Sequence, residues 1–528
     1  MELLNLLNVG IPIYVETASV DLNLIGRIIK ALVYGVGSVG VGIILFSLIL
    51  KLITLPFDVY QRISMRKQNL KMKENQARME KLQKQYANDK DMYNQKVMEM
   101  YKENGLSTFS SCLPMILSMI IFFVAINAFN AYASFANVEN YNVMVTAYNE
   151  ALLPYVADFE ESNYKYQITE QRDESDTTKV TGITVTYTLA DSASADKFIS
   201  CVITYEAKAD GETGEFVYPT SFEDAKPLLE KWKSNDFSEY ASSKVNFYVD
   251  TDRAYEYQSE EGKTAIDDAV TAKKAEAEET GTPWTDQAAA EAKNDAVVAY
   301  LKDGAQTAVL TAYNEKVEKK AGFLWIKNIW ATDAAYKHPV LKYSDFANEI
   351  VKKSSCSCGK GDESIKSIGA YTEEGYTNVT NKLGAQKSEA NGYFILIALS
   401  IGTILLQQFV SMRSQKEQQK YSTVDGQSGG QQKMMMVMMT AMFAIFSFMY
   451  SSAFSIYLVV SNLFSLLSTL VINKVVDKVA EKKEEKAERA KYERRFAGRA
   501  QAAVSGKKDA KVKKVKEIKT DADDKKKK

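Results

Sequence analysis

The sequence predicts an all-α polytopic membrane protein: five transmembrane helices, a cytoplasmic helical hairpin, and an α+β domain inserted on the extracytoplasmic side. Three observations carry this. Apolar residues gather in the blocks Leu32–Pro56, Cys112–Asn130, Tyr393–Val410, Met434–Tyr450 and Ala453–Asn473, each long enough to cross a hydrocarbon core of about 30 Å. A net charge of −1 hides regions of opposite sign. The long stretch between the second and third blocks alternates like strands and then becomes rich in Ala, Glu and Lys.

Charge fixes the expected orientation. Residues 57–111 carry 11 Lys/Arg against 7 Asp/Glu, residues 411–433 carry 4 against 2, and the tail 474–528 carries 21 against 11. The segment 131–392 reverses the balance, with 27 basic and 44 acidic residues. Short loops rich in Lys and Arg stay in the cytoplasm. The expected order is therefore an outside N-terminus, a cytoplasmic hairpin, an acidic outside domain, a cytoplasmic loop, a tight outside turn at 451–452 and a cytoplasmic tail.

The N-terminal segment 1–31 is a poor secretory signal: MELLNLLNVGIPIYVETASV has no basic leader and places Glu2 with the wrong sign. LNLIGRIIKALVY (22–34), with Arg27 and Lys30, suits either a helix lying at the interface or an extension of the first span. Residues 58–104 lack Pro and carry an irregular apolar stripe broken at YANDKD (86–91), the pattern of an antiparallel hairpin. The tail opens as a helix, with Glu485 and Arg489 four apart, and ends in lysine runs. Such a tail either binds RNA or anionic lipid through phosphates or serves to fix topology and solubility.

In the outside segment, YQITEQ, TGITVTYTLA, FISCVITYEA and GEFVYP read as strands and residues 260–320 as helix. TAYNE occurs at both 146–150 and 311–315, flanking this insertion. AGFLWIKNIW (321–330) returns the chain to the membrane surface, with tryptophans suited to the interface. Cys201, Cys356 and Cys358 lie in this segment; three allow at most one bridge among them, and Cys-Ser-Cys alone is too small a zinc set. With one histidine, His338, no metal, cofactor or enzymatic constellation is expected.

The spans carry polar stripes. Ser47, Lys51, Thr54 and Asp58 fall on one face of the first. Lys51 either snorkels to the interface or lines a watery cavity, where the neighbouring hydroxyls also find partners. Ser461, Ser465 and Ser468 share a side of the fifth span, beside Ser455, Asn462 and Thr469. They serve helix packing or form a second polar wall. The fourth span holds 7 of the chain's 18 methionines, as lipid-facing filler or as a face that accepts varied apolar segments.

Four blocks together, LILKLITLPFDVYQRISMRKQNLKMKENQARMEKLQKQY, MYKENGLSTFSSCLPMILSMIIFFVAINAF, FLWIKNIW and QQKMMMVMMTAMFAIFSFMYSSAFSIYLVVSNLFSLLSTLV, closely resemble the YidC/Oxa/Alb membrane protein insertases. The resemblance implies a five-helix insertase core. The family's cationic groove residue, usually arginine, falls on Lys51; lysine keeps the charge and loses the planar fork. Two further departures are the turn YSSAF in place of a Pro/Gly turn and a large domain placed between the second and third spans.

The implied activity is insertion and folding of new membrane proteins through a hydrophilic groove open to cytoplasm and lipid, without nucleotide hydrolysis. Lys51, Ser47, Thr54, Ser461, Ser465 and Ser468 would form the groove. Met115 and Met119 on the second span, with Met438 and Met442 on the fourth, would form a hydrophobic slide. The implied partners are nascent membrane proteins, the ribosome, the Sec translocon, the signal recognition particle receptor and the lipid bilayer. Two other classes fit the residues less well: an ion-coupled transporter with Lys51 as a titrating group, and an envelope protein whose spans only anchor the outside domain.

Overall fold

The structure is a computed structural model. It describes residues 22, 24–103, 108–158, 160–173, 178, 180–189, 194–209, 215–233, 243–351, 369–422, 427–475 and scattered positions from 478 to 493. Cys356, Cys358 and the lysine-rich end of the tail lie outside these residues. Among the described residues, four helical segments are long and apolar enough to cross a membrane: Val39–Ser64, Ile120–Tyr155, Ile395–Arg413 and Ser452–Val475. The fourth expected span is represented by a shorter apolar stretch, Thr440–Met449.

The chain divides into two units. The first gathers Met1–Ile49, Met119–Ile404 and Met438–Val460. It opens with α1 (Leu24–Val36), which ends where Gly37 takes a φ of +71°, so α1 is a helix separate from α2 (Val39–Gln85). A Cβ on Gly42 would lie 2.8 Å from the Val33 backbone, and glycine thus lets the two helices touch. Lys30 pairs with Glu139 at 3.1 Å and stands over the Phe135 ring, tying α1 to α4 (Thr108–Leu152).

α4 does not stop at Asn130, the expected end of the second span; it continues to Leu152. No Gly or Pro occurs between Pro114 and Pro154, so nothing breaks it. Its outer half is core. Tyr141, Val145 and Tyr148 are buried, and Tyr141 packs against Tyr371, Tyr376 and Phe346.

Beyond α4 the strands β1 (Tyr164–Arg172), β2 (Val180–Leu189), β3 (Ile199–Ala209), β4 (Phe216–Val217) and β5 (Ser243–Val249) form one antiparallel sheet. Its order is β1-β2-β3, with β4 and β5 both pairing β3. Alternation sets the faces: Val185, Tyr187, Leu189, Cys201, Ile203 and Phe247 are buried on one side, and Thr184, Thr186 and Thr188 lie on the other. α5 (Phe222–Lys233) places Phe222 against Tyr164 on the apolar side. Cys201 is unbridged among the described residues, and burial pushes its thiol up from its ordinary range.

After α6 (Thr251–Tyr257), the hairpin of α7 (Glu260–Thr280) and α8 (Asp286–Ala312) follows its caps: Ser259 accepts from Gly262 N–H, Thr285 accepts from Ala288 N–H, and Gly281 ends α7 with a φ of +69°. The second TAYNE sits where α8 widens into a π turn, Tyr313–Val317, with Tyr313 buried. The short α9 (Glu373–Val379) precedes α10 (Ile395–Ser422), α11 (Gln427–Met449) and α12 (Ser452–Val475).

Aromatic rings join the membrane helices of this unit. Phe122 of α4 lies 4.8 Å from Phe443 of α11 and 5.8 Å from Phe454 of α12, while Phe129 lies 5.6 Å from Phe46 of α2. Between α8 and α10, residues 322–340 form a connector closed by buried polar groups. Asn391 donates to the carbonyls of Asn328 and Thr332, and Asp333 accepts from the N–H groups of Tyr393 and Leu396, capping α10. Ala331 O accepts from both the N–H and the hydroxyl of Ser452, fixing the start of α12. Trp330 is buried at 6% exposure, 4.8 Å from Tyr132, and so is a core residue and not the interface anchor its motif suggests.

The second unit gathers Leu50–Ser118, Leu405–Val437 and Ser461–Lys528. α2 continues through Pro56 to Gln85, and α3 (Lys90–Glu103) returns after the turn at 86–89. Asp89 accepts from Met92 N–H and starts α3. Arg78 meets Glu103 at 2.8 Å, and Met79 and Met100 are buried, so the two helices form a hairpin.

Candidate functional site

Along α2, side chains sort by face. Val41, Leu45, Ile49, Leu52, Ile53 and Phe57 are exposed, whereas Ser47 is buried and Lys51, Thr54 and Asp58 are half-buried. At about 100° per residue the two sets lie on opposite sides of the helix. Ser47 and Thr54 satisfy their hydroxyls within the helix, donating to Ile43 O at 2.7 Å and to Lys51 O at 3.1 Å. The Lys51 ammonium forms no ion pair among the described residues, and Asp58 lies in electrostatic range of both Lys51 and Arg62.

Arg62, one turn beyond Asp58, completes the stripe. Its guanidinium donates to Asn473 Oδ1 at 2.8 Å and to Thr469 Oγ1, bridging α2 to α12 within the second unit. Sequence reasoning stopped the stripe at Asp58. The missed signal was the spacing of four from Asp58 to Arg62, which keeps arginine on the same face.

α12 shows a matching division. Leu463, Leu467, Leu470 and Val471 are exposed, while Ser461, Ser465 and Thr469 are buried. Ser468 and Thr469 donate back to Ser465 O at 3.0 and 2.6 Å. The hydroxyls of Ser451, Ser455 and Ser461 and the Asn462 amide nitrogen are buried without a protein hydrogen-bond partner among the described residues. Unpaired buried polar atoms are costly, about 1–3 kcal/mol each.

Of the methionines, Met438 is exposed and Met442 half-buried; the side chains of Met115 and Met119 lie outside the described residues. Among the described residues no group of His, Cys, Asp and Glu could hold a metal ion.

The model of the family described as 60Kd inner membrane protein matches residues 31–189 and 307–480, well over half of the chain. The intervening 190–306, with β3, β5 and most of the α7–α8 hairpin, lies outside the match. The chain is 33% identical over 112 residues to "Membrane protein insertase YidC" of Caldanaerobacter subterraneus, covering 21% of this chain and 52% of the relative. It is 39% identical over 88 residues to the protein so named from Fusobacterium nucleatum, covering 17% and 41%. The Clostridium tetani relative of that name is 40% identical over 93 residues, covering 18% and 40%. The matched stretch thus spans about half or less of the length of these relatives. No solved structure matches the chain. With several helices long and apolar enough to cross a bilayer and a family model matching most of its length outside the inserted stretch, this chain is a multi-pass membrane protein of the 60Kd inner membrane protein family.

Proposed function

We propose that the protein inserts newly made membrane proteins into the bilayer through a hydrated groove lined by α2 and α12. The observation that carries this reading is the buried Ser461 hydroxyl and Asn462 amide nitrogen on α12, unpartnered among the described residues, taken with Lys51 on the polar face of α2. Counting back about eleven residues from the Arg62 tie brings Lys51 level with Ser461 and Asn462, provided both helices cross in the same sense, as the first and fifth spans of the expected topology do. Water there would complete the hydrogen bonds of α12 and lower the cost of a charge at membrane depth.

In this mechanism Lys51 attracts the polar, often acidic, leading segment of a substrate. The hydrophobic segment then moves along Met115, Met119, Met438 and Met442 into lipid. Its own burial drives the step, at about 0.8 kcal/mol per CH₂. No covalent chemistry is needed. The hairpin of α2 and α3 and the basic tail would meet the ribosome or a delivery partner, and the orientation is N-terminus outside, C-terminus inside. The printed names of the relatives support this activity, and nothing in the comparisons favours an ion-coupled transporter.

The test is insertion of a single-span substrate with an acidic leading tail. Lys51→Ala is expected to impair it, and Lys51→Arg to preserve it. If both variants match the parent, the attraction step is wrong.

A further inference from the structure

The connector that follows α8 makes one tight excursion. Phe323 N–H donates to Ile326 O at 2.9 Å and Ile326 N–H donates to Phe323 O at 3.0 Å, closing a two-residue turn with Leu324 at its tip. Leu324 has a φ of +56°, the left-handed region that glycine and asparagine occupy cheaply and leucine does not. Its side chain is 73% exposed. Exposure and strain together are informative: glycine would relax the backbone, so the leucine side chain serves something outside the turn.

The turn is held firmly. Gly322 N–H donates to Glu318 O at 2.9 Å, Ile329 N–H donates to Ala321 O at 2.9 Å, and Ile326 and Ile329 are buried. Its position follows from Phe323, whose ring fills the space above Gly40; a Cβ there would fall 2.1 Å from that ring. Gly40 is the second residue of α2, at the end of a membrane helix. From this level the exposed residues Val41, Leu45 and Ile49 run down α2 at four-residue intervals, the spacing of a lipid-facing stripe. Among the described residues, the other non-glycine with positive φ is Phe394 at +63°, which immediately precedes α10 and is flanked by exposed Tyr393 and Ile395. Both left-handed, bulky apolar residues thus sit where an apolar helix begins.

We propose that the Phe323–Ile326 turn is a lipid-inserting tip, with Leu324 seated in the acyl zone of the leaflet at the start of α2. The occupant is bilayer hydrocarbon, because Phe323 seats the tip against Gly40, one residue inside the membrane-crossing length Val39–Ser64, and leaves the apolar Leu324 exposed at that level. By entering the leaflet beside Gly40, the tip fixes the depth of the connector, and with it the polar caps on α10 and α12, relative to the membrane. This inference rests on the membrane-spanning helices and not on the groove, so failure of the Lys51 test leaves it standing.

The experiment uses the full chain in vesicles of phosphatidylethanolamine and phosphatidylglycerol, with a diazirine-bearing leucine analogue at position 324 or, as control, at Lys274 on the α7–α8 hairpin. After illumination, acyl-chain adducts are expected at 324 in several-fold excess over the control. Water adducts at the control level would overturn the proposal. The variant Leu324→Gly gives a second readout: its melting midpoint in detergent is expected to stay level or rise, since strain is removed and no protein packing is lost. A clear fall would show that Leu324 packs against the protein, and would also overturn the proposal.

Discussion

Asn328 and Asp333 in the connector, and Asn391 that closes it, are buried, and each has its side-chain polar atoms matched by protein partners. Farther along α12, the Ser455 and Ser461 hydroxyls and the Asn462 amide nitrogen are just as inaccessible and have none among the described residues. The same physics acts on both regions, since a buried polar group is stable only when something completes its hydrogen bonds. In the connector the protein supplies the partner, and the result is a clamp. On α12 the described residues supply no partner, and the proposed groove would supply it as water or as a polar segment of another chain.

Breaking the clamp should have the largest effect. Asp333→Ala removes a buried carboxylate that accepts from Tyr393 and Leu396 N–H. A loss of about 3 kcal/mol or more is expected, read as a lowered melting midpoint in detergent. If the midpoint hardly moves, the connector is not a clamp. Next comes the tie between α2 and α12. Arg62→Met keeps the aliphatic stem and deletes the donors to Thr469 and Asn473. It should cost about 1.5 kcal/mol in the same assay. On the groove side, Lys51→Ala should leave the midpoint level or higher and lower the inserted fraction of an acidic-tailed substrate about tenfold, equivalent to about 1.4 kcal/mol.

The comparison is sharpened by two serines three residues apart. Ser452 donates to Ala331 O, whereas the Ser455 hydroxyl has no partner among the described residues. Ser452→Ala is expected to destabilise by about 1 kcal/mol, and Ser455→Ala to be neutral or slightly stabilising. Equal losses at both positions would erase the distinction between the two regions.

Local features were legible in the sequence. Periodicity gave the polar stripe Ser47, Lys51, Thr54 and Asp58 and the strands around Val185 and Ile203, and an Ala-, Glu- and Lys-rich composition gave helix over 260–320, because each depends on neighbours close in the chain. The continuation of α4 past Asn130 was also written there, in the absence of Gly and Pro, but a hydropathy boundary concealed it. What could not be read depends on distant contacts. Asn391 meets Asn328 across 63 residues, and Arg62 meets Asn473 across 411. The motif FLWIKNIW drew attention to its tryptophans, yet folding buries Trp330 against Tyr132 and leaves Leu324 exposed. Residue type alone could not separate those roles.

The most direct test of the account is the accessibility of α12 to water. In a background with Cys112, Cys201, Cys356 and Cys358 replaced by alanine, Ser468→Cys on the polar face and Leu467→Cys on the exposed apolar face are compared in membrane vesicles with a charged, membrane-impermeant maleimide. If α12 borders a hydrated groove, the cysteine at 468 reacts readily from one side of the membrane and the cysteine at 467 resists labelling. Equal labelling, or labelling at 467 alone, would contradict it.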